Sequence, residues 1–435
     1  MHCVQASNTE GKEQERKMDG NSPLKQAGLN DPWALPLETL DPSRAELFQS
    51  GAHLEYFRRL RQESPVHYTP DSMFGPYWSI TKFHDIMAVD TNHKVFSSDR
   101  DIVIGDNPPG FSPSNFIAMD PPKHDVQRKA TTPAVSPSRL QDLEVLIRER
   151  AGAILDSLPL NETFNWVDRV SIELTTQMLA TLFDFPWEDR RLLPYWSDVV
   201  TTSETVGVAV DMAHREKVLH ECLAYFVNLW HQRAAEPPKF DFISLLAHNP
   251  DTKDMVKDPM EFLGNLILLI VGGNDTTRNS ISGGVLAMHD FPEQYAMLKA
   301  DPSLIPNMVS EIIRWQTPLA HMRRTCTEDI AFQGKQMRKG DRVVMWYVSG
   351  NRDETVIDQP DQFIIDRDRA RQHLSFGFGI HRCMGNRVAE MQLRILWEEI
   401  MARFEHIEVV GEPVRLANNF VLGYTDLPVR LTAKA

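Results

Sequence analysis

The stretch Phe376–Gly385, FGFGIHRCMG, places a single cysteine, Cys383, in a loop between glycines. Phe376, Gly379, Cys383 and Gly385 form the pattern F-x-x-G-x-x-x-C-x-G. Gly379 and Gly385 lack side chains, so the loop backbone can turn tightly and lie close under a flat group. Most lone cysteines are buried and inert. The spacing of all four positions instead favours a cysteine that acts as a ligand.

The surroundings of Cys383 suit a thiolate bound to haem iron. Backbone N–H groups left free by a tight loop can point at the sulfur and temper its charge. Phe376 would shield the sulfur from water. The run NRVAEMQLRILWEEI that follows predicts a helix whose positive N-terminal end favours the deprotonated form.

This loop resembles the haem-ligand loop of the cytochrome P-450 superfamily, the haem-thiolate monooxygenases. In such enzymes the axial thiolate pushes electron density toward O–O cleavage. Motifs in family order run from about Asp120 to the C-terminus, so the resemblance covers most of the chain. It implies a mainly α-helical fold with small β-sheets, in one haem domain over residues 31–435. It also implies haem b as the cofactor and O₂ as a substrate.

Composition disfavours several other classes of protein and predicts the cellular setting. The chain has 435 residues and a net charge of −14, which disfavours nucleic-acid binding because phosphate contacts need clustered Lys and Arg. Four scattered cysteines predict no disulfide framework and a reducing, cytoplasmic setting. Residues 1–30 are polar and predict a disordered tail without a signal peptide or membrane anchor. The longest apolar run, Phe262–Val271, is too short to span a bilayer.

Hydrophobic periodicity predicts the larger elements. Helices are expected over 140–158, 170–184, 215–234 and 259–289, and short strands over 343–348 and 420–431. The helix over 259–289 is apolar nearly all round in its first half, so it should cross the core. The Gly-, Pro-, Asn- and Ser-rich segment 96–119 predicts a long loop, which in the family lies over the distal pocket.

The longest predicted helix contains Gly272–Thr277, GGNDTT. Adjacent glycines weaken a helix and a threonine can bond back to a carbonyl, so we expect a local distortion. The stretch resembles the oxygen-activation motif of the family, where the opened helix makes a groove for O₂ and water. The resemblance implies that Asp275 is the acidic proton-relay residue, that Thr276 supplies the catalytic hydroxyl and that Gly272 contacts haem. The alternative is a glycine-weakened helix with a solvated aspartate.

Glu311 and Arg314 stand at positions i and i+3 of a predicted helix. Most such pairs are surface ion pairs of little energetic value. Here they resemble the E-x-x-R pair of the family, which is buried, with Arg367 as its third member. We expect this trio to serve folding and cofactor retention rather than catalysis.

Haem carries two propionates, which need cationic or hydrogen-bonding partners. Arginine suits this role best because its planar fork matches a carboxylate. By resemblance the candidate partners of the propionates are His124, Arg128, Arg324 and His381. Arg323 is an alternative to its neighbour Arg324. Zinc bound by His373, His381 and Cys383 is a weak alternative, since a fourth ligand is missing.

The sequence contains no flavin or iron–sulfur signature, so electrons must come from another protein. The resemblance implies a ferredoxin, reduced in turn by an NAD(P)H-dependent ferredoxin reductase. An acidic enzyme needs a local basic patch to attract an acidic ferredoxin. The candidates near the cysteine loop are Lys129, Arg371, Arg382, Arg387 and Arg394.

The substrate pocket can be placed only by resemblance, and its predicted lining residues are all uncharged. They are Leu268, Val271, Gly272, Leu319, Ala320, Met322, Phe420 and Val421. This lining predicts a lipophilic guest, since burying each CH₂ contributes roughly 0.8 kcal/mol.

Three segments, around residues 271–285, 317–334 and 371–387, are very similar to the bacterial alkane terminal hydroxylases. The resemblance implies oxidation of medium-chain alkanes or fatty acids at the terminal methyl, with the chain presented end-on. One alternative is a sterol or terpene hydroxylase on the same fold. Another is a haem-binding sensor or carrier without turnover, which would have no use for the Asp275–Thr276 pair.

Overall fold

The computed structural model describes residues 31–99, 101–107, 113–208 and 210–434. The predicted N-terminal tail, 1–30, lies outside the described residues, as do residues 100 and 108–112 of the predicted loop. Within the described chain, α-helices dominate and the strands form small sheets, as predicted.

The helices are labelled in chain order. They are α1 Ala45–Ser50, α2 His53–Glu63, α3 Phe83–Thr91, α4 Lys123–Thr131, α5 Pro137–Asp156, α6 Glu173–Phe183, α7 Leu192–Thr201, α8 Met212–Ala235, α9 Phe242–His248, α10 Pro259–Asp290, α11 Pro292–Ala300, α12 Ile305–Gln316, α13 Tyr347–Gly350 and α14 Asn386–Arg403. The predicted helices correspond to α5, α6, α8 and α10. The helix predicted over 170–184 begins as a π-helical turn, Val167–Ile172, which leads directly into α6.

The strands are labelled in the same way. They are β1 Val66–Thr69, β2 Tyr77–Ile80, β3 Phe96–Ser97, β4 Thr163–Asn165, β5 His321–Cys326, β6 Ile330–Phe332, β7 Lys335–Met337, β8 Arg342–Trp346, β9 Phe404–Val409, β10 Val414–Arg415, β11 Tyr424–Asp426 and β12 Pro428–Ala433. The largest sheet has the order β1-β2-β8-β5-β3, in which only β2 and β8 run parallel. A second sheet has the order β4-β12-β9, and two hairpin-like pairs join β10 to β11 and β6 to β7.

Helix α10 is the central element of the molecule. Asp258 caps its first turn by accepting a hydrogen bond from the Glu261 N–H at 3.1 Å, and Pro259 occupies the first helical position, where its missing N–H costs nothing. Its 32 residues span about 48 Å. It packs against α6, α7 and α12 at once, and nearly every residue of its second half is buried.

The expected distortion of α10 at Gly272–Thr277 is absent. The helix is continuous through this stretch, and the Thr276 hydroxyl donates to the Gly272 carbonyl at 2.9 Å without opening it. Gly273 packs closely on α6, where an added Cβ would lie 2.8 Å from a methyl carbon of Leu179.

Two glycines of α10 differ sharply in what surrounds them. A Cβ on Gly264 would lie 2.2 Å from the Ser114 carbonyl oxygen, because the loop before α4 crosses the helix there in backbone contact. A Cβ on Gly272 would meet no atom within 4 Å. Gly264 is therefore required for the loop to lie on the helix, whereas Gly272 leaves open space.

We expect Gly264→Ala to lower the free energy of unfolding by about 1–3 kcal/mol, since the backbone of the loop must move to admit the methyl group. Gly152→Ala, in α5, is the matched control, because an added Cβ there would closely approach only the end of the flexible Arg403 side chain, at 2.9 Å. It should leave stability unchanged or raise it by up to about 1 kcal/mol through helix propensity. Denaturant unfolding of both variants measures the difference, and equal destabilisation would contradict the packing described here.

Candidate active site

The loop that carries Cys383 is held by its own backbone. The Cys383 N–H donates to the Phe376 carbonyl at 2.8 Å, which closes the loop, and α14 begins three residues after the cysteine. The backbone N–H groups of Gly385 and Asn386 point at the sulfur. The Cys383 side chain is exposed and lines a cavity.

The groups around Cys383 shift the pKa of its thiol in opposite directions. Burial raises the pKa of its thiol, while the Gly385 N–H, the Arg128 guanidinium and the Arg382 guanidinium lower it. A bound metal ion outweighs such effects, because a coordinating thiol is deprotonated outright.

The glycine requirement of the loop differs in part from the sequence prediction. Gly379 has φ 66° and Gly377 has φ 64°, both in the left-handed region that favours glycine. A Cβ on Gly379 would also lie 2.8 Å from the Asp90 carbonyl oxygen. Gly385 has φ −91° and only the Cys383 sulfur within 4 Å of its Cβ position, so no tight turn requires it. The prediction missed Gly377, which the FGFG repeat could have indicated.

A cavity separates the cysteine loop from α10, and its empty volume is about 1500 Å³ with its open mouth included. On the cysteine side it is lined by Phe376, His381, Cys383 and Gly385, and on the α10 side by Gly272 and Thr276. Of the described lining residues, only Arg128 and Arg324 carry a permanent charge. The cavity is thus mostly apolar, with its cations gathered on one side.

The cationic side contains polar atoms that lack partners. The rings of His124 and His381 meet edge to face with centroids 4.5 Å apart. His124 Nε2 and both ring nitrogens of His381 are buried and have no hydrogen-bond partner among the described residues. Burial, followed by the charge of Arg324, lowers the pKa of His381 to about 2. Such orphaned groups are costly, and an acidic ligand group placed among them would satisfy them.

Because side chains alternate along a strand, only one of the two neighbouring arginines of β5 faces the cavity. Arg324 lines the cavity, and its Nη2 donates to Asp90 at 2.7 Å. Arg323 points to the opposite face of the sheet, where its Nη1 donates to Asp106 at 2.7 Å. Arg324, not Arg323, is the one that can reach a group bound in the cavity.

Asp275 and Thr276 face different sides of α10. Thr276 lines the cavity, whereas Asp275 is fully buried against α7, with Arg278 Nη2 at 2.6 Å and the Ser197 hydroxyl donating at 2.9 Å. Burial raises the pKa of Asp275 despite the opposing effect of Arg278. Arg278 also contacts the partly exposed Asp198 at 2.9 Å, so a chain of ionic groups leads from the surface to Asp275. The alternative of a solvated aspartate is wrong.

Four of the eight predicted substrate contacts line the cavity, namely Leu268, Gly272, Leu319 and Met322. The structure places the other four elsewhere. Ala320 is fully buried in the apolar cluster that includes Trp346 and Phe48. Phe420 and Val421 pack behind Leu319 and Met322 as a second layer.

Val271 is the fourth displaced contact. The cavity face of α10 recurs every three to four residues through 268, 269, 272, 273, 276, 277 and 280, and Val271 falls outside that face. Sequence reasoning also missed lining residues supplied by distant elements. They are Ile102, Phe116, Ile117, Met178, Leu182 and Phe242.

Glu311, Arg314 and Arg367 form one buried ion cluster. Glu311 accepts from Arg314 Nε at 2.8 Å and Nη2 at 2.7 Å, and from Arg367 Nε at 3.0 Å. Arg314 and Glu311 are both fully buried. Arg314 further donates to the carbonyls of Asn351, Pro360 and Gln362, so the cluster fastens α12 to the segment that leads into the cysteine loop.

The zinc alternative is not supported in the part of the chain that the structure describes. No group of three or more His, Cys, Asp or Glu side chains converges there to hold a metal ion. His373 instead packs beside the Phe376 ring, with centroids 5.4 Å apart. Among the described helices, none is both long and apolar enough to cross a bilayer.

A fold of this helical order with a cysteine loop facing a long central helix across an apolar cavity defines a haem-thiolate oxygenase. The profile of the cytochrome P450 family matches residues 209–432. The chain belongs to the cytochrome P450 family. Its cofactor is haem b, and the protein is a monooxygenase.

Individual relatives refine this placement. The solved structure of cytochrome P450-153 from Novosphingobium aromaticivorans is 46% identical, covers 92% of this chain and 100% of its own, and superposes with a TM-score of 0.84. Linalool 8-monooxygenase from Pseudomonas putida is 34% identical over 92% of this chain and 100% of its own. Methyl-branched lipid omega-hydroxylase from Mycobacterium tuberculosis (strain ATCC 25618 / H37Rv) is 31% identical over 86% of this chain and 90% of its own.

Proposed function

We propose that this monooxygenase hydroxylates medium-chain alkanes or fatty acids at the terminal methyl. The observation that carries the proposal is the cavity, where aliphatic and aromatic side chains surround the space next to Gly272 and Thr276. Cations lie only on the side of Arg128 and Arg324. A flexible chain gains roughly 0.8 kcal/mol per buried CH₂ in such surroundings. Similarity to a lipid omega-hydroxylase supports terminal attack.

The residues present fit haem at this site. Cys383 would hold the iron, and Arg128, Arg324 and His381, which line the cavity, would receive the two propionates. His124 does not line the cavity, but its buried Nε2 lacks a partner and its ring lies against His381, so it stays a candidate propionate partner. When bound, haem supplies the activation of O₂ for insertion into a C–H bond. Phe376 keeps water from the sulfur. Glu311, Arg314 and Arg367 we assign to folding and cofactor retention, because their cluster anchors the approach to the cysteine loop.

Proton delivery is assigned to Thr276 and Asp275. The Thr276 hydroxyl faces the cavity and can pass a proton to an acceptor there, while its bond to the Gly272 carbonyl orients it. Asp275 lies on the opposite side of α10 and connects through Arg278 to Asp198 at the surface. Because Asp275 is clamped by Arg278 and Ser197, it must change partners to reach the cavity side.

We expect Thr276→Ala to uncouple electron use from hydroxylation. Positioned proton transfer contributes on the order of 100-fold, so product formed per electron pair should fall by at least about tenfold while peroxide release rises. Thr276→Ser, which keeps the hydroxyl, should restore coupling. Product and peroxide measured against NAD(P)H consumed give the result. Unchanged coupling in Thr276→Ala would show that another group delivers the protons.

The substrate class is tested by the products of a reconstituted enzyme. We expect gas chromatography to show terminal alcohols from a series of medium-chain alkanes and terminal hydroxy acids from the matching fatty acids. Leu268→Ala widens the cavity one helical turn before Gly272 and should raise the share of subterminal product, since internal C–H bonds are weaker. Product at internal positions in the unaltered enzyme would contradict the proposal.

A terpene or sterol hydroxylase is the second candidate, favoured by the similarity to linalool 8-monooxygenase. The cavity volume does not exclude rigid or branched guests. Binding spectra separate the two candidates. A large spin-state shift with terpene alcohols or steroids, and none with octane or dodecanoate, would replace the first proposal by the second.

We propose that the electrons come from a ferredoxin, which is itself reduced by an NAD(P)H-dependent reductase. We also propose that the enzyme works in the cytoplasm. The exposed residues Lys129, Arg371, Arg382 and Arg387 surround the cysteine loop and form the proposed basic patch. Arg394 does not belong to this patch. It is engaged by Glu144 at 2.7 Å and Glu398 at 2.8 Å, which fasten α14 to α5.

We expect Lys129→Glu with Arg387→Glu to slow reduction by ferredoxin at least about tenfold at low salt and to flatten its salt dependence, because steering by charge is lost. Reversal of two exposed lysines elsewhere, Lys217 and Lys335, is the control. Stopped-flow reduction at several ionic strengths measures the effect. Equal rates in both double variants would show that the patch is not the docking site.

A further inference from the structure

Asp90 is a buried acidic residue at the end of α3 that belongs to none of the motifs described above. Its side chain is 1% exposed, although it lies far along the chain from both Arg324 and the cysteine loop. A buried carboxylate is expensive unless several donors compensate it. The hydrogen-bond partners of Asp90 therefore indicate its structural role.

The two oxygens of the Asp90 carboxylate bind different partners. Oδ1 accepts from Arg324 Nη2 at 2.7 Å, and Arg324 lines the cavity. Oδ2 accepts from the Tyr347 hydroxyl at 3.0 Å and from the Phe378 backbone N–H at 2.8 Å. Phe378 lies inside the cysteine loop, so one carboxylate joins a cation of the cavity to the loop that carries Cys383.

The cysteine loop also rests on Asp90 sterically. A Cβ on Gly377 would lie 3.3 Å from Asp90 Oδ2, and a Cβ on Gly379 would lie 2.8 Å from the Asp90 carbonyl oxygen. Both glycines have positive φ. The two glycines that the loop requires are thus the two that approach Asp90.

We propose that Asp90 is a positioning residue for the haem, holding Arg324 at a propionate and the cysteine loop at the iron in one fixed arrangement. Nη1 of Arg324 is directed to the Arg323 carbonyl at 2.8 Å, which fixes the guanidinium on a second side. The remaining N–H groups of the guanidinium are available to a carboxylate in the cavity. The role does not depend on which substrate the enzyme oxidises.

Asp90 also balances the charge of Arg324 beside the cofactor. Reduction of the iron adds one negative charge, so removing a nearby buried anion and leaving Arg324 uncompensated stabilises the reduced state. The midpoint potential should then become more positive. A carboxylate that served packing alone would not move the potential.

The test uses purified, haem-loaded Asp90→Asn, which keeps the shape of the side chain but removes its charge. We expect a more positive midpoint potential and haem transfer to apomyoglobin about tenfold faster or more, from the loss of charged hydrogen bonds. Asp85→Asn removes the same charge from the same helix without touching Arg324 or the loop, and should match the unaltered protein. If Asp90→Asn and Asp85→Asn have the same potential, the proposal is overturned, even if the Asp90 variant melts earlier.

If Asp90→Asn does not retain haem, the variant Tyr347→Phe tests the proposal instead. This variant keeps the charge of Asp90 and removes one hydrogen bond to Oδ2. We expect haem transfer to be severalfold faster while the potential stays close to that of the unaltered protein. Haem transfer at the unaltered rate would overturn the proposal.

Discussion

The close fit of the cysteine loop against the end of α3 is the constraint on which the site depends. The loop passes so near Asp90 that Gly379 has no room for a side chain, and its backbone bond from Cys383 to Phe376 closes it around the sulfur. The backbone of the loop cannot move away from α3 without losing its contacts with Asp90, so these contacts fix the place of Cys383 at the cavity.

The opposite wall of the cavity is provided by α10, and its two faces have different tasks. The face toward the cavity presents Leu268, Gly272 and Thr276, while the face toward α7 buries Asp275 among ionic partners. A continuous helix can do both, because successive residues point in directions about 100° apart. The helix therefore needs no opening to place an acid and a hydroxyl on neighbouring positions.

The buried ion pairs described here join segments that are distant in the sequence. Glu311 joins α12 to the segment that carries Arg367, and Asp90 joins α3 to β5 and the cysteine loop. Such pairs add little net stability over apolar packing, but losing one partner is strongly unfavourable because the other charge stays buried. They therefore favour one arrangement of the chain around the cofactor over others.

The sequence by itself predicted the glycine-rich loop around Cys383, the helical class of the fold and the course of α10, since each depends on local spacing, glycine and periodicity. Only the tertiary structure decided which residues line the cavity. Ala320 and Val271 are apolar and adjacent to lining residues, yet Ala320 packs into a separate apolar cluster and the helical period turns Val271 away from the cavity. Asp90, Met178 and Phe242 reach the site from distant parts of the chain, and no local pattern records a contact that exists only after folding.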